Sequence, residues 1–347
     1  MEYRFLGRSG LKVSSFTFGT MTFGDNPAGS PVGTTGIAEA KKQIDLCLDA
    51  GVNLFDTADA YAAGRSESLL GEALGPRRRD VLIATKFVGP TGPGVNDLGA
   101  SRHHIIEACE ASLRRLNTDW IDLYQIHNQD LVTPPEETLR ALDDLVRAGK
   151  VRYIGSSNHA GWTMMRALAT SDRLGLERYV AQQIQYSLLR REAEDELLPL
   201  GHAEGVGAII WSPLAAGYLS GKYRDGDSAD QARLIANNML DDRDTDQARR
   251  IVDTLAEIAA EHDGASISQV ALNWAVRRGG VASVLIGART VAQLTDNLAA
   301  AGWALSDEEI SRLDTVSARP LRYPYDMHRN FMADRNPLPQ LLPPIAS

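Results

Sequence analysis

The chain has 347 residues, 44% of them hydrophobic and 23% charged, an ordinary globular composition. A formal net charge of −9 argues against a nucleic-acid partner, whose binding rests largely on neutralising phosphates, and no apolar run approaches the ~20 residues that cross a bilayer. Met1-Glu2-Tyr3-Arg4-Phe5 is not a basic-then-apolar leader, and Cys47 and Cys109 sit in apolar helical stripes without metal-ligand spacing, so a cytoplasmic, reducing compartment is expected.

Tyr3–Val13, with Gly7 and Ser9-Gly10 as turn residues, predicts a small hairpin. Short apolar runs then recur: Phe16–Met21, Val52–Ala58, Val81–Phe87, Ile121–His127, Val151–Ser157, Ala181–Ser187, Gly207–Pro213 and Ser283–Ala288. Nearly continuous apolarity suits parallel strands covered by helices. Between them, Ile37, Ala40, Ile44, Cys47 and Leu48 share one helical face and end at Gly51; Ile105, Ala108, Cys109, Leu113 and Leu116 repeat the pattern. Thr133-Pro134-Pro135-Glu136 and Ser306–Glu309 read as capping boxes. Alternating strands and helices without a linker predict one α/β domain, a (β/α)₈ TIM barrel. It would span about 14–316, behind the hairpin and ahead of a C-terminal extension of about 317–347. An open doubly wound sheet would carry a glycine fingerprint after its first strand, and none occurs: Gly92-Pro93-Gly94 fails at Asp97. Phe23–Gly36, Gly89–Gly99 and Leu214–Asp246 are the long loops where such a barrel would shape its pocket.

Four polar groups close or follow the apolar runs: Asp56, Lys86, His127 and, five residues past Asp56, Tyr61. Parallel strands bring these ends to one mouth. A lysine beside a carboxylate keeps its charge and lowers the proton affinity of a nearby phenol, ordinarily near ~10. An imidazole alongside can orient the carbonyl oxygen that takes the proton. Singly, each would read as an ion pair or a core residue; together, at three successive strand ends, they read as a site. The segment Val52-Asn53-Leu54-Phe55-Asp56-Thr57-Ala58-Asp59-Ala60-Tyr61, followed by Gly64 and Ser66-Glu67, resembles the aldo-keto reductases, in the branch that holds potassium-channel β subunits and bacterial members. The likeness runs from Arg4 to about Asn297. It implies NADPH-dependent reduction of an aldehyde or ketone, with Tyr61 as general acid, Lys86 its modulator, Asp56 the partner of Lys86, and His127 the carbonyl-orienting group.

The resemblance also implies a cofactor side for NADPH/NADP+. Ser157, Asn158 and Gln183, at the ends of the fifth and sixth runs, have the donors and acceptors to hold a carboxamide in one plane. Trp211 is placed to stack on the nicotinamide, and Ser212, Pro213, Leu214, Gly217, Leu219 and Lys222 continue into a segment like the family's pyrophosphate clamp. Gly287, Arg289, Gln293, Asp296 and Asn297 match the adenosine end, with Arg289 the reason to expect NADPH over NADH. Thr20, Met21 and Asp56 complete the set.

Other features are expected to be structural. His103-His104 reads as a solvated turn, Arg77-Arg78-Arg79 as an exposed loop, and the proline-rich tail from Arg319, with Tyr323, Tyr325 and Met327, as a cover for the mouth, as simple packing or as a partly disordered segment. Besides a reductase acting on a small carbonyl substrate, the same residues admit an NADPH-binding redox sensor or regulatory subunit, or a sugar-specific ketoreductase of a biosynthetic pathway. The branch contains monomers and larger assemblies, so a homo-oligomer is admitted.

Overall fold

The computed structural model describes residues 1–24, 33–223 and 246–335. Parts of the loops Phe23–Gly36 and Leu214–Asp246, and the end of the C-terminal extension, lie outside the described residues. The predicted hairpin forms from β1 (Tyr3–Phe5) and β2 (Lys12–Ser14), which pair antiparallel. Then β3 (Phe16–Gly19), β4 (Leu54–Asp56), β5 (Leu82–Phe87), β6 (Ile121–Ile126), β7 (Val151–Ser157), β8 (Tyr179–Gln185), β9 (Gly207–Trp211) and β10 (Val281–Ile286) pair in parallel, each with the next, and β10 closes on β3. This is the (β/α)₈ barrel. The last strand begins and ends two residues before the predicted Ser283–Ala288.

Outside the strands run α1 (Ile37–Asp49), α2 (Arg65–Leu74), α3 (Arg102–Leu116), α4 (Pro135–Arg147), α5 (Gly161–Leu174) and α6 (Leu197–Glu204). Further helices follow at Asp246–Glu261, Ile267–Val276, Val291–Ala299, Asp307–Val316 and Tyr325–Met332. Their apolar faces cover the outward side chains of the strands in one large buried cluster that includes Cys47 and Cys109, both free thiols. Burial raises the proton affinity of each thiol, that of Cys109 to about 12, so both stay inert. No helix among the described residues is long and apolar enough to cross a membrane.

Inside the barrel, a period of two sets the layout. Leu54, Ala84, Leu123, Ala181, Ile209 and Ala282 form a separate apolar layer, and Leu6 and Val13 of the hairpin pack into it from below. Two residues further along the same strands stand Asp56, Lys86, Gln125, Gln183 and Trp211. Each of these five strands thus passes from the apolar floor to the mouth in one step. The hairpin is held beneath the floor by the Arg4 guanidinium, which donates to the carbonyls of Val276 (2.6 Å) and Val281 (3.0 Å). At Gly7 the chain approaches so closely that a Cβ would lie 2.3 Å from the Gly205 carbonyl oxygen, and φ is +62°. Only glycine meets both conditions without strain.

Several local expectations need correction. Arg78 is buried, pairs with Asp122 at 2.8 Å and stacks over Trp120 at 4.4 Å, so the three arginines are not simply an exposed loop. His104 is buried too, whereas His103 alone faces solvent. Thr133 forms no capping box: Pro134 is the N-cap of α4 and makes no side-chain cap. The Asp130 carboxylate instead accepts from the amides of Val132, Thr133 and Ala100 and from the Thr133 hydroxyl, tying the loop to α3 and α4. These donors outweigh burial and lower its proton affinity. The Ser306–Glu309 box is complete in both directions. In the extension, Arg319 pairs with Asp195, and the Tyr325 hydroxyl donates to Glu196 at 2.5 Å, while Tyr323 is 82% exposed. Arg319 and Tyr325 thus anchor the described part of the extension beside the start of α6.

Candidate active site

Lys86 is fully buried, and an ammonium there needs compensation. It has three acceptors: the Asp56 carboxylate, the Thr57 carbonyl at 2.8 Å and the Tyr61 hydroxyl at 3.4 Å. Burial alone would lower the proton affinity of Lys86, but the charges of Asp56 and Tyr61 outweigh it and raise it overall. The second Asp56 oxygen accepts from Gln183 Nε2 at 2.7 Å and Gln125 Nε2 at 3.3 Å. Asp56 is thus the hub of a buried network reaching into β5, β6 and β8.

Tyr61 lies in the short 3₁₀ turn Tyr61–Gly64 after β4. Burial pushes its hydroxyl above the ordinary tyrosine range; the Lys86 charge pulls it back down, and burial wins. The expectation that Lys86 lowers it holds for that one influence, not for the sum. His127 packs edge-on against the Tyr61 ring, centroids 5.8 Å apart. Burial, then the Lys86 charge, lowers the imidazole to about 3, so it is neutral at physiological pH. A neutral imidazole therefore lies against the phenol, with a buried, fixed ammonium 3.4 Å from the phenol oxygen.

The other predicted residues divide by what they touch. Asn158, with φ 54°, donates to the His127 carbonyl at 3.0 Å and accepts from Trp211 Nε1 at 3.0 Å, which fixes the indole at the mouth. Ser157 is buried, and its hydroxyl has no hydrogen-bond partner among the described residues. Gln183 is turned to Asp56 rather than to the opening. Thr20 is buried and bonds the Asp56 carbonyl and the Ser66 hydroxyl, so it braces the β3–β4 junction; Met21 is exposed. Ser212 Oγ accepts from the Ala216 amide, Pro213 and Leu219 are buried, and Leu214 is half-buried. The amides of Ala215 and Gly217 bond within their own turn, to Ser212 and Leu214. A Cβ on Gly217 would lie 3.1 Å from Lys222 Cε, so this glycine leaves a cradle beneath the lysine.

At the end of β10, Gly287 and Arg289 are exposed, and Asn297 donates to the Gly287 carbonyl at 3.3 Å. Gln293 accepts from the Arg289 amide at 3.0 Å, bracing this turn while the Arg289 guanidinium faces solvent. Asp296 points elsewhere: it accepts from Ser266 (2.8 Å) and Gln269 (2.7 Å) of the neighbouring helix. Gln125, Glu67 and Asp59 were passed over in the sequence. Gln125 had a signal, an amide alternating inward in an otherwise apolar strand. Glu67 is fully buried and accepts from Thr85 (2.6 Å) and Arg115 (2.7 Å).

Residues 15–318 match the aldo/keto reductase family. The chain is 40% identical over 309 residues to the "Probable voltage-gated potassium channel subunit beta" of Arabidopsis thaliana, covering 86% of this chain and 91% of that protein. To the rice (Oryza sativa subsp. japonica) protein of the same description it is 38% identical over 334 residues, covering 93% and 98%. To "Uncharacterized oxidoreductase YrpG" of Bacillus subtilis (strain 168) it is 38% identical over 335 residues, covering 92% and 97%. With a barrel of this topology and a match over most of its length, the chain is an oxidoreductase that belongs to the aldo/keto reductase family.

Proposed function

We propose that this protein reduces a small aldehyde or ketone to the alcohol with NADPH as reductant and Tyr61 as proton donor. The observation that carries the reading is Lys86, fully buried between the Asp56 carboxylate and the Tyr61 hydroxyl, with His127 against the same ring. The mouth fits a dinucleotide. Ser157 offers a buried hydroxyl without a partner, Trp211 a half-buried ring held by Asn158, and Gly217 a cradle under Lys222. Ser157, Asn158 and Trp211 would hold the nicotinamide, Lys222 the pyrophosphate, and Arg289 with the start of the last barrel helix the 2′-phosphate. When bound, the cofactor supplies a hydride to the carbonyl carbon.

The chain's own residues do the rest. Tyr61 hydrogen-bonds the carbonyl oxygen and gives it a proton as negative charge develops there. Lys86 is already positive and desolvated, so it stabilises the phenolate left behind. Asp56, held by Gln125 and Gln183, keeps the lysine aimed. His127 donates a hydrogen bond as a neutral imidazole and adds no charge of its own.

Incubation with NADPH and a panel of short aldehydes and ketones is expected to consume cofactor steadily, with one alcohol formed per NADPH. Tight NADPH binding without turnover across the panel would overturn the reading. It would favour a nucleotide-binding regulatory subunit, the alternative suggested by the names of the two plant relatives. Arg289→Ala is expected to raise KM for NADPH about tenfold, the value of one charge-assisted contact, and to leave KM for NADH unchanged. An equal effect on both cofactors would remove Arg289 from the 2′-phosphate.

A further inference from the structure

Between Asp56 and Tyr61 lies a second buried carboxyl group that the mechanism above does not use. Asp59 is 3% exposed, and its carboxyl group has no side-chain hydrogen-bond partner among the described residues; the backbone amide of Ala60 acts on it and lowers its proton affinity. A carboxylate at such a depth without a side-chain donor or a paired cation is expensive, and native structures rarely leave one without a role. Its main chain is fixed on the site: the Asp59 amide donates to the Lys86 carbonyl at 3.1 Å, and the Tyr61 amide reaches back to Ala58 at 3.2 Å.

The charged and titratable groups acting on Asp59 or acted on by it come from four sides. Glu67 of α2 repels it, while Arg115 of α3 and Lys86 of β5 attract it. Tyr124 of β6 and Tyr61 on its own loop both feel its charge. Arg115 is spent on Glu67 and Lys86 on Asp56, so neither pairs with Asp59. Burial first, then Glu67, raises the Asp59 carboxyl to about 7.

We propose that Asp59 is a positioning residue for proton delivery: a buried carboxyl group, two residues before the phenol on a loop fixed to the Lys86 carbonyl, whose charge state sets how firmly Tyr61 holds its proton. The inference rests on the reading of Tyr61 as the acid. At low pH Asp59 is neutral, and the proton of the phenol is held by burial and the Asp56 charge against the pull of Lys86. As pH rises through neutrality Asp59 becomes negative, and the phenol holds its proton to higher pH. The reductive direction, which needs the protonated phenol, is thereby kept alive into the alkaline range.

The linkage has a definite sign. Between its ordinary value of 3.8 and about 7 the unfolded chain releases the Asp59 proton while the fold retains it. The folded state then binds more protons, so this group's contribution to stability falls as pH rises across that window. Asp59→Asn removes the penalty. The variant's Tm relative to the parent is expected to climb between pH 4 and 7, then level off.

The catalytic test is the pH profile of kcat/KM for carbonyl reduction with NADPH. In Asp59→Asn the alkaline limb is expected to move about one unit toward lower pH, as for a single charge removed from a buried site. Coincident alkaline limbs for parent and variant would overturn the inference. Glu67→Gln keeps Asp59 but relieves the repulsion, so the Tm-versus-pH break is expected at lower pH; an unmoved break also counts against it. If Tyr61→Phe retains the parental rate, the proposed function itself has failed. If Tyr61→Phe is inactive and the limbs still coincide, only the role of Asp59 has.

Discussion

Replacing Tyr61 by Phe is expected to lower kcat for carbonyl reduction by about 10²–10⁴-fold, the usual contribution of a positioned general acid, and to leave the dissociation constant for NADPH unchanged. The ring would stay in place, packed edge-on against His127 and beneath the Lys86 ammonium, whose Nζ lies 5.0 Å from its centroid. Only the hydroxyl is lost, and with it one of the three acceptors of Lys86; Asp56 and the Thr57 carbonyl remain. His127 is a poor substitute as acid because its imidazole is neutral above about pH 3. For the same reason the profile of the parent enzyme should lack a limb from His127 near neutrality. Direct titration of NADPH binding, run beside steady-state rates, separates the two quantities. A variant that reduces aldehydes at the parental rate would remove Tyr61 from the chemistry.

Asp56→Asn is expected to cost about 3–5 kcal/mol of stability, because it leaves Lys86 as an uncompensated buried charge. That corresponds to a fall in Tm of roughly 4–7 °C for a chain of this size. The pair is 0% and 1% exposed, so solvent screens neither partner. The loss is larger than for a bare pair because Gln125 and Gln183 donate to the carboxylate. An asparagine can face one amide correctly but not both amides and the ammonium. Activity should fall as well, since Lys86 loses the group that aims it at Tyr61. The double variant Asp56→Asn with Lys86→Met is expected to recover much of the Tm and none of the rate. A single variant as stable as the parent would mean that the pair is not the buried hub described above.

The barrel was legible because each strand is written as a short apolar run and each helix as a stripe. The eight predicted runs overlap the eight barrel strands, with ends shifted by a residue or two. Strand ends depend on where pairing stops, which an isolated run does not encode. The four polar groups were legible for a related reason: charge at the end of an apolar strand contradicts its surroundings. What escaped were groups whose meaning depends on partners distant in sequence. Arg78 looked solvated among like charges, but Asp122 and Trp120 bury it. The apparent box at Thr133 lost to Asp130, a better acceptor three residues earlier. Gln183 has the right chemistry for a carboxamide, yet its amide is committed to Asp56. Asp59 gave no signal at all, because an aspartate in a loop is ordinarily exposed.

The apolar floor bears on where protons come from. Leu6 and Val13 close the barrel from below, and the ring of Leu54, Ala84, Leu123, Ala181, Ile209 and Ala282 lies between them and Lys86. The side chains of these six residues offer no relay, and the buried hydroxyls of Thr17 and Ser283 beside them are committed to each other and to the Ser14 carbonyl. The vessel is a cup, not a tube. On the proposed mechanism, a phenolate at Tyr61 would be refilled from the rim, the side through which the alcohol would also depart. Reprotonation and product exit then compete for one passage, and the enzyme's resetting step becomes a matter of traffic at a single doorway.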